Sequence, residues 1–209
     1  MQNPIRHPLL AAGFLCMIGV SSYAADRTHP ELRGELLTMA ARDQEVRRAS
    51  KRGDFSKWQE VDHANQARLK QIVDQFGWPT YKMVGVDGAR AAWLLAQHAD
   101  SDEAFQRKVL AMMAPLVARQ QASGTDYAYL YDRTHYPQRF GTQGNCVSRQ
   151  EWQPFKIEDI DKVDERRRAV NLPPLAKYAK VFDCANPNIA LHSAADSRKT
   201  VPVPRPDLR

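Results

Sequence analysis

Apolar residues recur along this chain at three- and four-residue spacing, and the places where polar residues enter that spacing are few. Between residues 30 and 52, Leu32, Leu36, Met39 and Ala40 mark one face of a first helix, which Gly53 stops. Asp43 and Arg47 continue the same stripe one i,i+4 step apart. They read either as an intrahelical ion pair worth about 0.3–0.5 kcal/mol or as an acid and a base projecting from the buried face into a shared cleft. A second helix is expected over residues 55–76, striped by Trp58, Val61, Leu69, Ile72, Val73 and Phe76, with Gly77 and Pro79 ending it. Asp62 and Asn65 sit inside that stripe. A polar group on a core face must find hydrogen bonds or suffer desolvation, so each is a structural contact or part of a pocket wall.

Residues 85–106 organise the rest. From Ala89 to Ala96 the segment is apolar on every side except at Arg90, which is the pattern of a core helix, and it ends in Gln97, His98, Ala99 and Asp100. Gly85 and Gly88 bracket its start with Asp87 as N-cap. Asp100 with Glu103 reads as the capping box of the next helix. No capping role accounts for His98, which is either a core histidine satisfying a carbonyl or a functional group. A fourth helix carries Phe105, Val109, Met112, Met113, Leu116 and Val117, with Pro115 forcing a kink or restart. A short fifth one, residues 126–133, is rich in tyrosine. Residues 138–140 and 151–153 are expected to pair as a small hairpin around Gly144-Asn145. Helix returns over 158–182, interrupted at residues 172–175, and its triple arginine 166–168 reads as a solvated face. The fold class is therefore mainly α: one compact multi-helix domain with at most a small β-hairpin near residues 138–156.

Composition narrows the setting. Residues 1–24 combine Arg6, a twelve-residue apolar run (9–20) and the small residues Ser22 and Ala24, the layout of a cleaved secretory signal peptide. Twelve residues fall short of the roughly 20 that span a bilayer, so no membrane span is expected after cleavage. The domain then covers 25–184 and a proline-rich tail 185–209, which reads as extended and disordered. Removing the leader lowers the net charge from +6 to +5, with the basic residues scattered, so nucleic acid is not an expected partner. Of three cysteines, Cys16 leaves with the leader. The remaining pair, Cys146 and Cys184, is expected to form a disulfide in a periplasmic or extracellular protein. No HExxH or paired CxxC occurs, and His98 and Asp100 are two apart and so do not share a helix face. Neither a metal nor a cofactor is expected.

Seven motifs stand in one order: RDQxxR (42–47), WxxVDxxN (58–65), GWPT (77–80), AAWLLAQHADxDxxFQ (91–106), AYLYDR (128–133), FGTQ (140–143) and VDERR…LPPLAKY (163–178). Together they resemble a bacterial family known only as a domain of unknown function, whose loop motif usually carries Tyr where this chain has Phe140. The resemblance implies no activity. It implies a signature of Asp43, Gln44, Arg47, Asn65, Gln97, His98, Asp132, Arg133, Thr142 and Gln143.

Three functions fit such a polar signature. The first is a module binding a small polar or anionic ligand, or a peptide, through Asp43, Arg47, Asn65, Gln97, Arg133, Thr142 and Gln143, with the tyrosines of the fifth helix as a stacking wall. The second is a hydrolase-type enzyme with His98 as general base, its imidazole oriented by Asp132 or Asp43. No GxSxG motif supplies a nucleophile. The third is a purely structural network in a domain whose surface meets an envelope protein. Convergence of Asp43, Arg47, His98, Asp132 and Arg133 on one cleft separates the first two from the third.

Overall fold

The computed structural model describes residues 28–185. The expected signal peptide and all but the first residue of the expected tail lie outside the described residues. Within them the chain is mainly α, with seven α-helices and one two-stranded antiparallel sheet. No helix among them is long and apolar enough to cross a membrane.

Three helices make the frame. α1 (Pro30–Ser50) has Pro30 in its first turn, where the missing N–H has no partner to lose, and Glu31 beside the positive end of the helix dipole. It buries Leu32, Leu36, Ala40, Asp43 and Val46 in one line. α2 (Trp58–Phe76) buries Val61, Asn65, Leu69, Ile72 and Val73. α3 (Tyr81–Gln97) packs on both, chiefly on α1. It starts earlier than its sequence suggests, because Thr80 caps a first turn by accepting from the Met83 N–H at 3.3 Å. Gly85 then breaks the run at φ 75°, ψ 173°, a conformation open to glycine, before the helix resumes. Asp87 spends its carboxylate on Arg33 of α1, accepting from Nε at 2.9 Å.

α4 (Glu103–Ala118) and α5 (Gly124–Thr134) close the core around α3. The cap of α4 is Asp102, which accepts from the Phe105 N–H at 2.9 Å, and not Asp100. The helix runs on through Pro115 to Ala118 with no restart. Leu36, Leu69, Ile72, Val84, Val109, Met113 and Leu130 are fully buried between these helices. Each such side chain contributes about 1.5–3 kcal/mol by leaving water. α5 docks through Trp93, whose indole N–H donates to the Asp126 carbonyl at 2.7 Å, and through the Arg90–Asp126 ion pair. Burial pushes the Asp126 carboxyl up to about 6, against the opposing pull of Arg90. Of the tyrosines of α5, Tyr129 packs edge-on against Trp93 and Tyr178, Tyr131 edge-on against Phe140, and Tyr127 lines a surface groove with Phe140.

The C-terminal third is built differently from its periodicity. The hairpin pairs β1 (Gly144–Cys146) with β2 (Trp152–Pro154), so the residues expected in the turn form a strand instead. Gly144 is inside the sheet because a Cβ there would fall 2.2 Å from the Gln153 carbonyl oxygen, a close approach that a turn reading overlooks. The segment expected as the other strand instead makes an isolated parallel bridge, Gln138 to Ile157, and is held by side chains as well. Buried Gln138 accepts from the Gln143 N–H at 2.7 Å and donates to the Gln143 and Phe155 carbonyls at 2.8 and 3.1 Å. The last helical region breaks into a 3₁₀ turn (Ile160–Lys162), α6 (Val163–Ala169) and α7 (Leu175–Ala179). A disulfide joins Cys146 to Cys184 across 38 residues, which constrains the unfolded chain by about 4 kcal/mol in the loop-entropy account.

The arginine triplet is not a uniform solvated face. Arg167 is 0% exposed, with its guanidinium over the Tyr178 ring at 4.7 Å. It donates to the Pro173 and Phe140 carbonyls at 2.6 Å each. Val163 and Val170, buried at i−4 and i+3, carry it inward on their own face of α6. Arg167→Ala is expected to destabilise the domain by about 3–5 kcal/mol, through the cavity and two orphaned carbonyls, whereas Arg168→Ala changes it by about 0.5 kcal/mol or less. Urea titration of the two variants checks this contrast.

Candidate functional site

The buried stripe of α1 is apolar until Asp43, and that substitution of charge for hydrocarbon generates the site. Asp43 is 1% exposed. A carboxylate so placed needs donors on every side. Gln44 Nε2 donates to it at 2.8 Å, and Arg47 Nε, one helical turn on, donates at 3.1 and 3.2 Å. The third donor comes from α3, where the helix stops and its C-cap residue, His98, places Nδ1 3.0 Å from both Asp43 oxygens. Burial pushes the Asp43 carboxyl up, but the hydrogen bonds and charges of His98 and Arg47 outweigh it and hold the group below the usual carboxylate range. Asp43 is therefore ionised at neutral pH and can only accept.

That assigns the tautomer. Since the carboxylate has no proton to give, His98 Nδ1 carries the hydrogen, and in the neutral imidazole Nε2 holds the free lone pair. His98 keeps 20% of its side chain exposed, and Nε2 meets no hydrogen-bonding group among the described residues. The imidazole thus has one edge clamped in the core and the other toward the surface.

Arg47 extends the network to α2. Its Nη2 donates to Asp62 at 2.9 Å, and its guanidinium lies over the Trp58 ring at 4.5 Å. Burial raises the Asp62 carboxyl, with Arg47 opposing and Asp43 adding to the rise. Asn65 follows one turn along α2, buried on the same face, and Gln97 immediately precedes His98. Asn65 Nδ2 and Gln97 Oε1 are buried without a hydrogen-bond partner. Such groups cost about 1–3 kcal/mol each if nothing answers them.

The other signature residues divide. Arg133 reaches the neighbourhood through Asp100, two residues beyond His98, in a bidentate pair with both contacts at 2.7 Å. This pair, 33 residues apart in sequence, is what Asp100 does in place of capping α4. Asp132 faces elsewhere: its oxygens accept from the N–H groups of Arg139, Phe140 and Thr142 at 2.8, 3.0 and 2.7 Å. It does not orient His98; Asp43 occupies that role. Thr142 and Gln143 belong to the same loop, with the Thr142 carbonyl accepting from the Tyr178 hydroxyl at 3.0 Å. Of the five residues whose convergence on one cleft would mark a pocket, Asp43, Arg47 and His98 meet directly and Arg133 stands alongside, while Asp132 does not join them: with Thr142 and Gln143 it locks the loop after α5. Two surface grooves, of ≈ 270 and ≈ 370 Å³, share Arg139, Arg166 and Ala169 and are not lined by His98. Among the described residues no cluster of three or more His, Cys, Asp or Glu side chains could hold a metal ion.

Asp62, flagged in the sequence as a contact or pocket-wall residue, completes the network with Trp58, which the sequence marked only as part of an apolar stripe. The legible signal was an acid inside an apolar stripe. Because the Asp43 carboxyl is depressed by folding, its contribution to stability is present above its unfolded value of about 3.9 and is lost as pH falls through the lower folded value. Asp43→Ala, which leaves Arg47 with Asp62 alone and takes the partner from His98 Nδ1, is expected to cost about 2–4 kcal/mol at pH 7. That penalty should shrink as the pH falls below the ordinary carboxylate range, as followed by denaturant titration across the acid range.

No curated protein and no solved structure gives a significant match. A family model described as a family of unknown function, DUF6624, matches residues 30–188, a stretch that contains every residue of the network. The chain belongs to the DUF6624 family.

Proposed function

We propose that the C-terminal end of α3 is a site for a small polar ligand and that His98 acts there as general base in a hydrolase-type reaction. The observation that carries this is the grip of both Asp43 oxygens on Nδ1, which leaves the Nε2 lone pair on the exposed edge. An imidazole held in one tautomer by a buried carboxylate is arranged to accept a proton. Recognition of an anion is the less favoured reading, because the forks of Arg47 and Arg133 are already engaged by Asp62 and Asp100. A neutral polar group fits better.

With no serine or cysteine at Nε2, the nucleophile is water. His98 Nε2 takes one proton from it as the oxygen attacks an electrophilic carbonyl, and Asp43 stabilises the imidazolium formed. The same proton then passes to the leaving group, which returns His98 to its neutral form. The disulfide suits an oxidising compartment, in keeping with an exported protein.

A thermal-shift screen of metabolites and cell-wall fragments against the purified protein tests the reading, since a ligand raises Tm by mass action. A hit is expected to be turned over by the native protein and about 10²–10⁴-fold more slowly by His98→Gln, with binding retained. If His98→Gln lowers Tm but leaves ligand profile and turnover unchanged, the histidine is a structural tie between α3 and α1 and the reading fails.

A further inference from the structure

The two surface grooves meet along one seam, and Arg139 and Arg166 stand on it, lining both. Arg166 is half-buried on α6, and its guanidinium is fixed by backbone carbonyls. Its Nε donates to the Arg139 carbonyl at 2.8 Å, and its Nη2 to the Glu158 and Asp159 carbonyls at 2.5 and 3.0 Å. Among the described residues its Nη1 meets no acceptor and no carboxylate pairs with it, and Nη1 is not closed off from solvent. Arg139 is held more loosely, its Nε 3.7 Å from Glu158. The apolar groove, of ≈ 270 Å³, runs from this seam to a wall of Tyr127, Phe140 and Val170. That wall is braced from behind. Asp132 accepts from the Arg139 and Phe140 N–H groups, Arg167 donates to the Phe140 carbonyl at 2.6 Å, and the Tyr127 and Phe140 rings meet edge-on with centroids 6.5 Å apart. Burial raises the Tyr127 hydroxyl, with Tyr131 adding and Arg139 opposing, so it is uncharged at neutral pH and the only charges on this groove are the two arginines.

A guanidinium held by carbonyls keeps its full positive charge, and it has little freedom left to lose when an anion arrives. The aromatic and aliphatic wall beside it rewards a ligand that carries an apolar body. The neighbouring groove sets the charge of the anion. Glu158, Asp159 and Glu165 line it with Lys162, which already meets Asp159 at 3.4 Å, so a doubly charged group on the seam would face uncompensated acids. We propose that the apolar groove binds a small monocarboxylate with a phenyl- or branched-alkyl-sized body. Its carboxylate accepts from Arg166 Nη1 and from Arg139, and its body lies against Tyr127, Phe140 and Val170. The site is separate from the His98 end of α3, whose network residues line neither groove, and it stands or falls without the general-base reading.

The test titrates phenylacetate into the purified protein while the backbone amide signals of Phe140, Ala169 and Val170, the arginine side-chain signals and the His98 ring are followed by NMR. Phenylacetate is expected to shift the groove and arginine signals saturably, with half-saturation at about 1 mM or below, and to leave His98 unmoved. Its neutral isostere phenylacetamide, and acetate, which lacks the apolar body, should each need at least about tenfold higher concentration, and phenyl phosphate should bind no better than phenylacetate. Arg166→Gln should weaken phenylacetate binding by about tenfold or more. Because that variant also strands the carbonyls of Arg139, Glu158 and Asp159, a second one reads the groove alone. Ala169, exposed and lining both grooves, becomes a plug in Ala169→Phe, which should abolish binding while keeping Tm within about 2 °C of native. Equal response to phenylacetate and phenylacetamide, equal response to acetate, tighter binding of phenyl phosphate, or shifts confined to His98 overturns the inference. Undiminished binding by a folded Ala169→Phe variant, or no saturable response at the groove by about 20 mM, does the same.

Discussion

Everything at the C-terminal end of α3 depends on one buried carboxylate. Asp43 occupies a position in α1 that the helical period reserves for an apolar side chain, and it survives there because three donors close around it. Each donor sets a neighbour. Arg47, drawn inward to Asp43, carries α2 with it through Asp62 and Trp58. His98, drawn from the end of α3, is turned so that its other nitrogen faces outward. The small residues of α3, Ala91, Ala92 and Ala96, leave the helices close enough for these contacts. The hydrophobic core supplies the stability, and the carboxylate decides how the three helices are set at that end.

The same device recurs at the other side of α5. Asp132 gathers three loop amides, and Arg167, with no carboxylate in ion-pair contact among the described residues, binds carbonyls of the same loop and of the segment before α7. Burial lowers the Arg167 guanidinium from its ordinary value, with Tyr178 the first of several groups opposing. A loop held by buried charged groups needs little regular structure, which accounts for an ordered C-terminal third with only a short hairpin and brief helices. The Cys146–Cys184 disulfide fastens this region where its third hydrophobic cluster is small, around Trp152 and Tyr178. The two polar centres differ: one leaves the His98 side chain partly exposed, and the other spends its charged groups on the backbone of a loop.

The helices were legible because a 3.6-residue apolar period is a local property, and the family was legible because its motifs keep their order. Asp43 and Arg47 could be read as a salt bridge or as inward-facing groups, and they are both; one residue of sequence context cannot exclude either. The cap of α4 was misplaced by two residues, since Asp100 and Asp102 are equivalent in local pattern and only Arg133, far along the chain, distinguishes them. Asp132 was offered beside Asp43 as the partner of His98 on residue type, whereas the loop amides that claim it are backbone groups that no motif displays. Gly144 was read as a turn because its reason for being glycine, the neighbouring strand, comes from pairing. Arg167 was taken for a surface residue although its valine neighbours at i−4 and i+3 pointed inward. In each case a tertiary partner overrode a correct local rule.

The central claim is that Asp43 fixes the His98 tautomer and leaves Nε2 free. Nitrogen-15 NMR of the histidine rings at neutral pH measures this directly. The account predicts that His98 carries its proton on Nδ1, strongly hydrogen-bonded, with Nε2 showing the shift of an unprotonated nitrogen, and that Asp43→Asn weakens this preference. A neutral His98 protonated on Nε2 would contradict it, because the lone pair would then face the buried carboxylate and no base would face the surface.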